Sequence, residues 1–182
     1  REAYVIAKVS AWDPVLVTGP NGTGKTGYAK LIWNENECMD VPEEKGDILT
    51  VNCAAFSENL IVAELFGHSK GAFTDAKRET LGKIRTAYLN KQCLFLDEVG
   101  DLPLSAQAML LRFFDNGEVQ PVGAPEPIRL EDFKASDIED KKLKDKYSSK
   151  GAGNGNGKLK VVCATNKNLK EEIRKGNFRE DL

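Results

Sequence analysis

The sequence predicts an α/β fold whose helices cover a central parallel sheet. Short β-rich runs alternate with helical stretches, and a glycine-rich turn joins the first strand to the first helix. A continuous apolar run further on stops at two adjacent acids, as a central parallel strand does.

Val15-Leu16-Val17-Thr18 is the first strand, Gly19-Pro20-Asn21-Gly22 turns the chain, and a helix runs from Lys25 to about Trp33. Ile48 to Val51 is a second buried strand, ending in Asn52-Cys53. Ser57 stands at the N-cap of a helix through Leu65, with Leu60, Ile61 and Leu65 expected on one face. Thr80 to Leu89 reads as helix, weakly interrupted by Gly82. Cys93-Leu94-Phe95-Leu96 is apolar throughout, and Asp97-Glu98 close it. Ser105 to Phe114 places Met109, Leu110 and Phe113 on one helical face, with Gly117 set to end it. Val161 to Ala164 is a fourth strand, Asn168 and Glu171 have the spacing of a capping box, and Gly176 ends the helix that follows. Residues 131–150 carry six acids and six bases and predict a solvated segment; residues 151–157, GAGNGNG, predict a flexible turn or linker.

At 182 residues, 41% hydrophobic and 30% charged, the chain suits one domain with a real core. The net charge of −2 gives no global footprint for nucleic acid. Cys38, Cys53, Cys93 and Cys163 are far apart and form no CxxC pair, so buried reduced thiols in a cytoplasmic protein explain them better than a metal site or disulfides. No apolar run approaches the roughly 18–20 residues that cross a membrane. The chain begins at Arg1 without a Met and is expected to be an excised domain.

The chemistry begins at Gly19-Pro20-Asn21-Gly22-Thr23-Gly24-Lys25-Thr26, which fits the phosphate-binding loop pattern in full. Glycines let backbone N–H groups converge on phosphates, Lys25 reaches the β/γ oxygens and the Thr26 hydroxyl ligates Mg²⁺. A chance glycine turn is the plainer account, but the flanking strand and helix are the context the motif requires. Asp97 and Glu98 end a buried strand, on the edge where such sheets bind ligands. Asp97 is expected to hold Mg²⁺ and Glu98 to polarise the attacking water. Asn166, after the next strand, can reach the same edge, although an Asn there is often only a turn former. Together these residues point to hydrolysis of a nucleoside triphosphate, ATP before others. Arg174 is read as a solvated surface residue, and His68 as a packing or capping residue rather than a base.

GPNGTGKT, VNCAAFSENLIVAELFGHSKGAFTDA, LFLDEVGDLP, QAMLLRFFDNGEVQPVG, VVCATNKNL and GNFREDL occur in this order. The pattern resembles the bacterial enhancer-binding proteins, the AAA+ ATPases that activate sigma-54 RNA polymerase holoenzyme. KLIW, and the run from QAMLLR to PVG, are similar to the subgroup that regulates RNA-repair operons. The resemblance implies a three-layer P-loop NTPase whose helical lid and helix-turn-helix lie outside this chain, so that DNA is met only through an absent domain. It implies that Asn52 restrains Glu98, that Asn166 is sensor I, and that Arg179 is an arginine finger reaching a neighbouring subunit of a ring, usually a hexamer. It also implies that the insertion at 66–79 is loop 1, with Gly71, Ala72, Phe73, Thr74, Asp75 and Ala76 contacting sigma-54. A second loop is implied at about Gly100 to Ser105. Two departures stand out. The family's usual hexapeptide has Gly where Asp75 stands, which adds charge and removes φ freedom. Residues of about 134–158 are expected to lengthen a hairpin, within a charged, Gly-rich insertion at 131–158. Two other readings remain open: an AAA+ ATPase that remodels a different client, and a nucleotide-gated assembly module with little turnover.

Overall fold

A computed structural model describes residues 13–35, 47–148 and 159–182. In chain order the elements are β1 (Val15–Thr18), α1 (Lys25–Glu35), β2 (Ile48–Asn52), α2 (Glu58–Phe66), α3 (Gly82–Leu89) and β3 (Cys93–Asp97). They continue as α4 (Leu104–Asn116), β4 (Glu118–Val119), β5 (Ile128–Arg129), α5 (Lys141–Ser148), β6 (Val161–Thr165) and α6 (Leu169–Arg174). Cys38 and the GAGNGNG run lie outside the described residues.

Strands β1, β6, β3 and β2 form one parallel sheet in that order. Thr18 lies opposite Thr165 and Asn52 opposite Asp97, so the strands end on a common carboxyl edge. β3 and β6 are covered on both faces, which is why their sequences do not alternate. On one face Val17, Phe95, Val162 and Ala164 pack against Ala29 and Trp33 of α1. On the other, Leu94, Leu96, Val161 and Cys163 meet the larger core built with α2, α3 and α4. The three layers are those the sequence predicts.

The differences have physical causes. Leu60 is 59% exposed, while Ile61, Leu65 and Phe66 are the buried residues of α2. Ser57 occupies the N-cap position, but its side chain accepts no capping bond. Asn168 bonds the Glu171 carboxylate through its side-chain amide at 3.1 Å, without the backbone bonds of a capping box. α3 begins at Gly82 rather than Thr80, because Gly67 and Gly82 cross back to back at the base of the 66–79 insertion. A Cβ at Gly82 would lie 2.3 Å from the Gly67 nitrogen, and one at Gly67 would lie 2.2 Å from the Thr80 carbonyl oxygen. Both glycines also have positive φ, so this crossing admits no side chain.

The charged insertion is the largest correction. The hairpin in this region is β4–β5, and the described part of 134–158 does not extend it. It forms a short 3₁₀ turn at Ala135–Asp137 and then α5. Phe133, Ile138 and Tyr147 are buried in the main core, and Leu143 packs against it. Apolar residues at helical spacing inside a charge-laced run dock the segment, leaving the charges outside.

The segment docks on the exit limb of the 66–79 insertion. Arg85 is 1% exposed, donates to the carbonyls of Leu81 (2.8 Å) and Thr80 (3.2 Å), and lies over the Phe133 ring. Burial pulls its guanidinium below the ordinary value, and the neighbouring Glu79 carboxylate opposes that shift. Glu79 is 3.4 Å from Arg85 through Oε1, and its Oε2 accepts the N–H groups of Glu139 (2.9 Å) and Asp140 (3.3 Å). Removing Glu79 leaves a buried cation uncompensated, at a cost of about 3–5 kcal/mol. Glu79→Ala is therefore expected to lower stability by that amount in urea unfolding, and Glu79→Ala/Arg85→Met to recover part of it. A loss below about 1 kcal/mol in the single variant would contradict the pairing.

Candidate nucleotide-binding site

The glycine loop leaves β1 on the carboxyl edge, where the Gly19 N–H donates to the Thr165 carbonyl at 3.2 Å. Gly22 and Gly24 have φ of 76° and 82°, which the loop requires and L side chains rarely adopt. Thr23 Oγ1 donates to the Pro20 carbonyl at 2.8 Å, and α1 starts with the Gly27 N–H on the Gly24 carbonyl. The loop thus sits at the N-terminus of an 11-residue helix, where free N–H groups favour an anion. Lys25 is 8% exposed, and its Nζ donates to the Gly19 carbonyl at 3.2 Å. Thr26 is exposed beside it.

Asp97 and Glu98 arrive from β3 at the same edge. Glu98 has φ 53° and ψ 48°, a left-handed conformation unusual for a residue with a side chain. Its Oε1 is 3.6 Å from Lys25 Nζ, and its Oε2 accepts the Asn166 N–H at 3.0 Å. The Glu98 N–H donates to Asp97 Oδ1 at 3.1 Å. Asn166 Nδ2 donates to Asn21 Oδ1 at 2.8 Å, joining the end of β6 to the glycine loop. Lys25, Glu98, Asn166 and Asn21 therefore form one connected polar group. Asn52 is on the same edge, but its Oδ1 accepts the Ala54 N–H at 3.0 Å and caps a 3₁₀ turn. Glu98 is held here by Lys25 and by the Asn166 backbone, and Asn52 is occupied elsewhere.

Cys53 lies beneath this edge. Burial, with Asp97, Asp101 and Glu98 adding to it, pushes the thiol up to about 12, so it stays protonated. Cys93 and Cys163 are likewise buried, free and pushed up to about 12 by burial. No group of three or more His, Cys, Asp or Glu poised for a metal occurs among the described residues. The donor set at the edge, one hydroxyl and one strand-end carboxylate, suits Mg²⁺, which keeps waters and takes substrate phosphates as ligands.

The 66–79 insertion closes on itself. His68 and Thr80 exchange backbone bonds, and the Ser69 N–H donates to the Val122 carbonyl at 3.0 Å. The Gly71 N–H donates to the Ala76 carbonyl and the Ala76 N–H to that of Phe73, which makes a tight tip. Phe73 is 47% exposed, with the His68 ring edge-on at 4.8 Å, so His68 packs the loop. Asp75 is not among the positive-φ residues, so the tip holds an Asp there without backbone strain. Leu60, Phe73, Ser105 and Val122 line a 460 Å³ cavity that joins this loop to α2 and to the start of α4.

Arg179 is not part of the glycine-loop cluster. Its guanidinium makes a bidentate pair with Asp181, at 2.8 and 2.6 Å. Arg174 is exposed, as expected. Two residues that connect the site escaped the sequence reading. Lys167 pairs with Asp101 at 2.7 Å and donates to the Gly100 carbonyl at 3.2 Å, tying the end of β6 to the turn after Glu98. Gln107 is fully buried on α4; a polar residue three positions before Leu110 on the core face was its only sequence signal.

The sigma-54 interaction domain family matches residues 2–146. The Nif-specific regulatory protein of Klebsiella pneumoniae is 37% identical over 98% of this chain and 28% of its own length. The DNA-binding transcriptional regulator NtrC of Rhizobium meliloti is 36% identical over 100% of this chain and 31% of its own. The chain thus spans less than a third of the length of these curated relatives. Among solved structures, NtrX from Brucella abortus has a TM-score of 0.62 at 23% identity, covering 94% of this chain and 30% of that one. NtrX in complex with ATP has a TM-score of 0.61 at 24% identity, covering 94% and 30%. At that identity the likeness speaks for the α/β fold alone.

Proposed function

The chain belongs to the sigma-54 interaction domain family, and from that premise we propose that it is an ATP-hydrolysing activator module that remodels sigma-54 RNA polymerase holoenzyme. The observation that carries this reading is the convergence of Lys25, Glu98 and Asn166 on one sheet edge, where Glu98 Oε1 is 3.6 Å from Lys25 Nζ. The N–H groups of the Gly19–Thr26 loop and Lys25 bind the phosphates, and Thr26 and Asp97 would hold Mg²⁺. When bound, Mg²⁺ would supply charge neutralisation at the phosphates. Glu98, released from Lys25 when phosphate takes the lysine, orients the attacking water. Asn166 senses the γ-phosphate, a role supported by its bonds to both Glu98 and the loop. Asn52 restrains Glu98 only in a nucleotide state where it has left the Ala54 N–H. Arg179 acts in the site of a neighbouring subunit of a ring, a hexamer in this reading, once its fork leaves Asp181.

The tip Gly71–Ala76 is the tool that meets sigma-54. Its Phe73 side chain is half exposed on a loop whose base is held by the Gly67–Gly82 crossing. Leu60 and Leu104 are exposed on the two helices that flank it, at 59% and 49%. DNA is met through a separate domain, and the protein works in the cytoplasm; no helix among the described residues is long and apolar enough to span a membrane.

Thr74→Ala tests the partner assignment. ATPase turnover is expected to stay within about twofold, because the tip makes no contact with Lys25 or Glu98 and exposed substitutions perturb little. Binding to purified sigma-54 in the presence of an ADP–metal fluoride transition-state analogue is expected to be lost. Equal sigma-54 capture by both forms would remove the case for the loop.

A further inference from the structure

Gln107 sits on the core face of α4 with Ala106, Leu110 and Phe113, and is 0% exposed. A buried amide must have its donors and acceptor satisfied, and here every bond goes to backbone, one to the turn before α4 and two to the Asn177–Arg179 segment. Nε2 donates to the Leu102 carbonyl at 2.7 Å and to the Asn177 carbonyl at 2.9 Å. Oε1 accepts the Arg179 N–H at 2.8 Å. Leu102 ends the 3₁₀ turn that follows Glu98, and the turn is closed by the Asp101 N–H on the Glu98 carbonyl and the Leu102 N–H on the Val99 carbonyl. One side chain therefore links the turn after Glu98 to the backbone of Arg179.

The segment carrying Arg179 has few other anchors. α6 has six residues and buries none of them. The turn after it is held to α6 through Glu172, which takes the Asn177 side-chain amide at 2.8 Å and the backbone N–H groups of Asn177 and Phe178. Beyond that turn, Phe178 is buried and Gln107 holds the Arg179 N–H; among the described residues the guanidinium pairs with exposed Asp181. Phe178 and Gln107 thus hold the backbone at Arg179 to the core, with Leu182 packing against that core three residues on.

We propose that Gln107 is a positioning residue for Arg179, holding it in register with the turn after Glu98 so that it reaches a neighbouring subunit's phosphate. The inference rests on the reading of Arg179 as an arginine that acts between subunits. Gln107 does not touch nucleotide. It joins the arginine that completes one site to the strand end that carries the glutamate of another, and a shift at either end reaches the other through a single amide.

The test uses full-length protein. Gln107→Met keeps the side-chain length and removes all three bonds. ATPase kcat is expected to fall about 100-fold, the scale of misplacing a catalytic group by an ångström, with ATP affinity within about twofold because the glycine loop is untouched. Hydrogen exchange at the Arg179 amide is expected to quicken, while β3 and β6 stay protected. Mixing Gln107→Met with Lys25→Ala subunits is expected to restore turnover, since the Lys25→Ala subunit supplies a well-held Arg179 to an intact site. Failure of that mixture, where Arg179→Ala mixed with Lys25→Ala does recover, overturns the role of Gln107 and leaves Arg179 standing. Wild-type turnover in Arg179→Ala overturns the reading of Arg179, and this inference with it. If Gln107→Met does not fold, Gln107→Glu, which keeps an acceptor for the Arg179 N–H but loses both donors, goes through the same mixing, and its failure to recover overturns the proposal equally.

Discussion

Lys25→Ala is expected to abolish nucleotide binding, with ATP affinity falling about 100-fold or more. Lys25 is the cation of the loop, 8% exposed, with its Nζ held by the Gly19 carbonyl and facing Glu98. A charge-assisted hydrogen bond lost from a desolvated site is worth about 1.5–3 kcal/mol, and each 1.4 kcal/mol is about tenfold in affinity. In the proposed site the lysine would meet more than one phosphate oxygen, so the expected loss lies at or above the top of that range. The substitution also leaves Glu98 without its cation, which adds local repulsion of an incoming triphosphate. Titration with a fluorescent ATP analogue reads the change. Unchanged affinity would show that the loop binds phosphate through its backbone alone.

Glu98→Gln is expected to separate binding from hydrolysis. The amide keeps an oxygen for the Asn166 N–H and nearly the same shape, so the edge survives with the ion pair to Lys25 gone. What it loses is the negative charge that polarises water in the proposed mechanism, and general-base catalysis contributes about 10²–10⁴ in rate. Turnover should fall by that factor while ATP affinity holds or rises, since Lys25 no longer has to leave a carboxylate. Single-turnover hydrolysis with pre-bound ATP distinguishes this from a slow release step, and intact turnover would sink the assignment. The left-handed backbone of Glu98 bears on the same point. A non-glycine residue in that region carries a strain of about 1–3 kcal/mol, and here it aims the carboxylate at Lys25 and Asn166. Asn and Asp tolerate that conformation best, so Glu98→Asn would keep the backbone and shorten the reach.

The phosphate loop and the two strand-end acids were legible because their signals are local. Gly19 to Thr26 occupies eight consecutive positions between a strand and a helix, and Asp97-Glu98 follow immediately on an apolar run. Backbone N–H convergence and strand-end placement need no distant partner to be recognised. Asn166 was legible only as a strand-end residue; its bonds to Glu98 and Asn21 join positions 68 and 145 residues apart. The charged insertion misled for the opposite reason. Six acids and six bases in 131–150 dominate the composition, while Phe133, Ile138, Leu143 and Tyr147, which dock it, are spread thinly among them.

The sequence by itself determined the layered α/β fold, the phosphate loop and the strand-end acids. Each follows from periodicity or from residues close enough to share one turn of chain. Only the tertiary structure decided that Glu98 rests on Lys25 and the Asn166 N–H while Asn52 caps a turn, that Glu79 and Arg85 clamp a helical insertion to the loop exit, and that Gln107 holds Arg179. Apart from the Asn52 cap and the Glu79–Arg85 pair, these bonds join segments far apart in sequence: Lys25 to Glu98, Asn166 to Glu98, Glu79 to Glu139 and Gln107 to Arg179. The side chains that make them are chosen by which buried N–H and C=O groups the packed core leaves in need of a partner, and that demand exists only once the layers have closed.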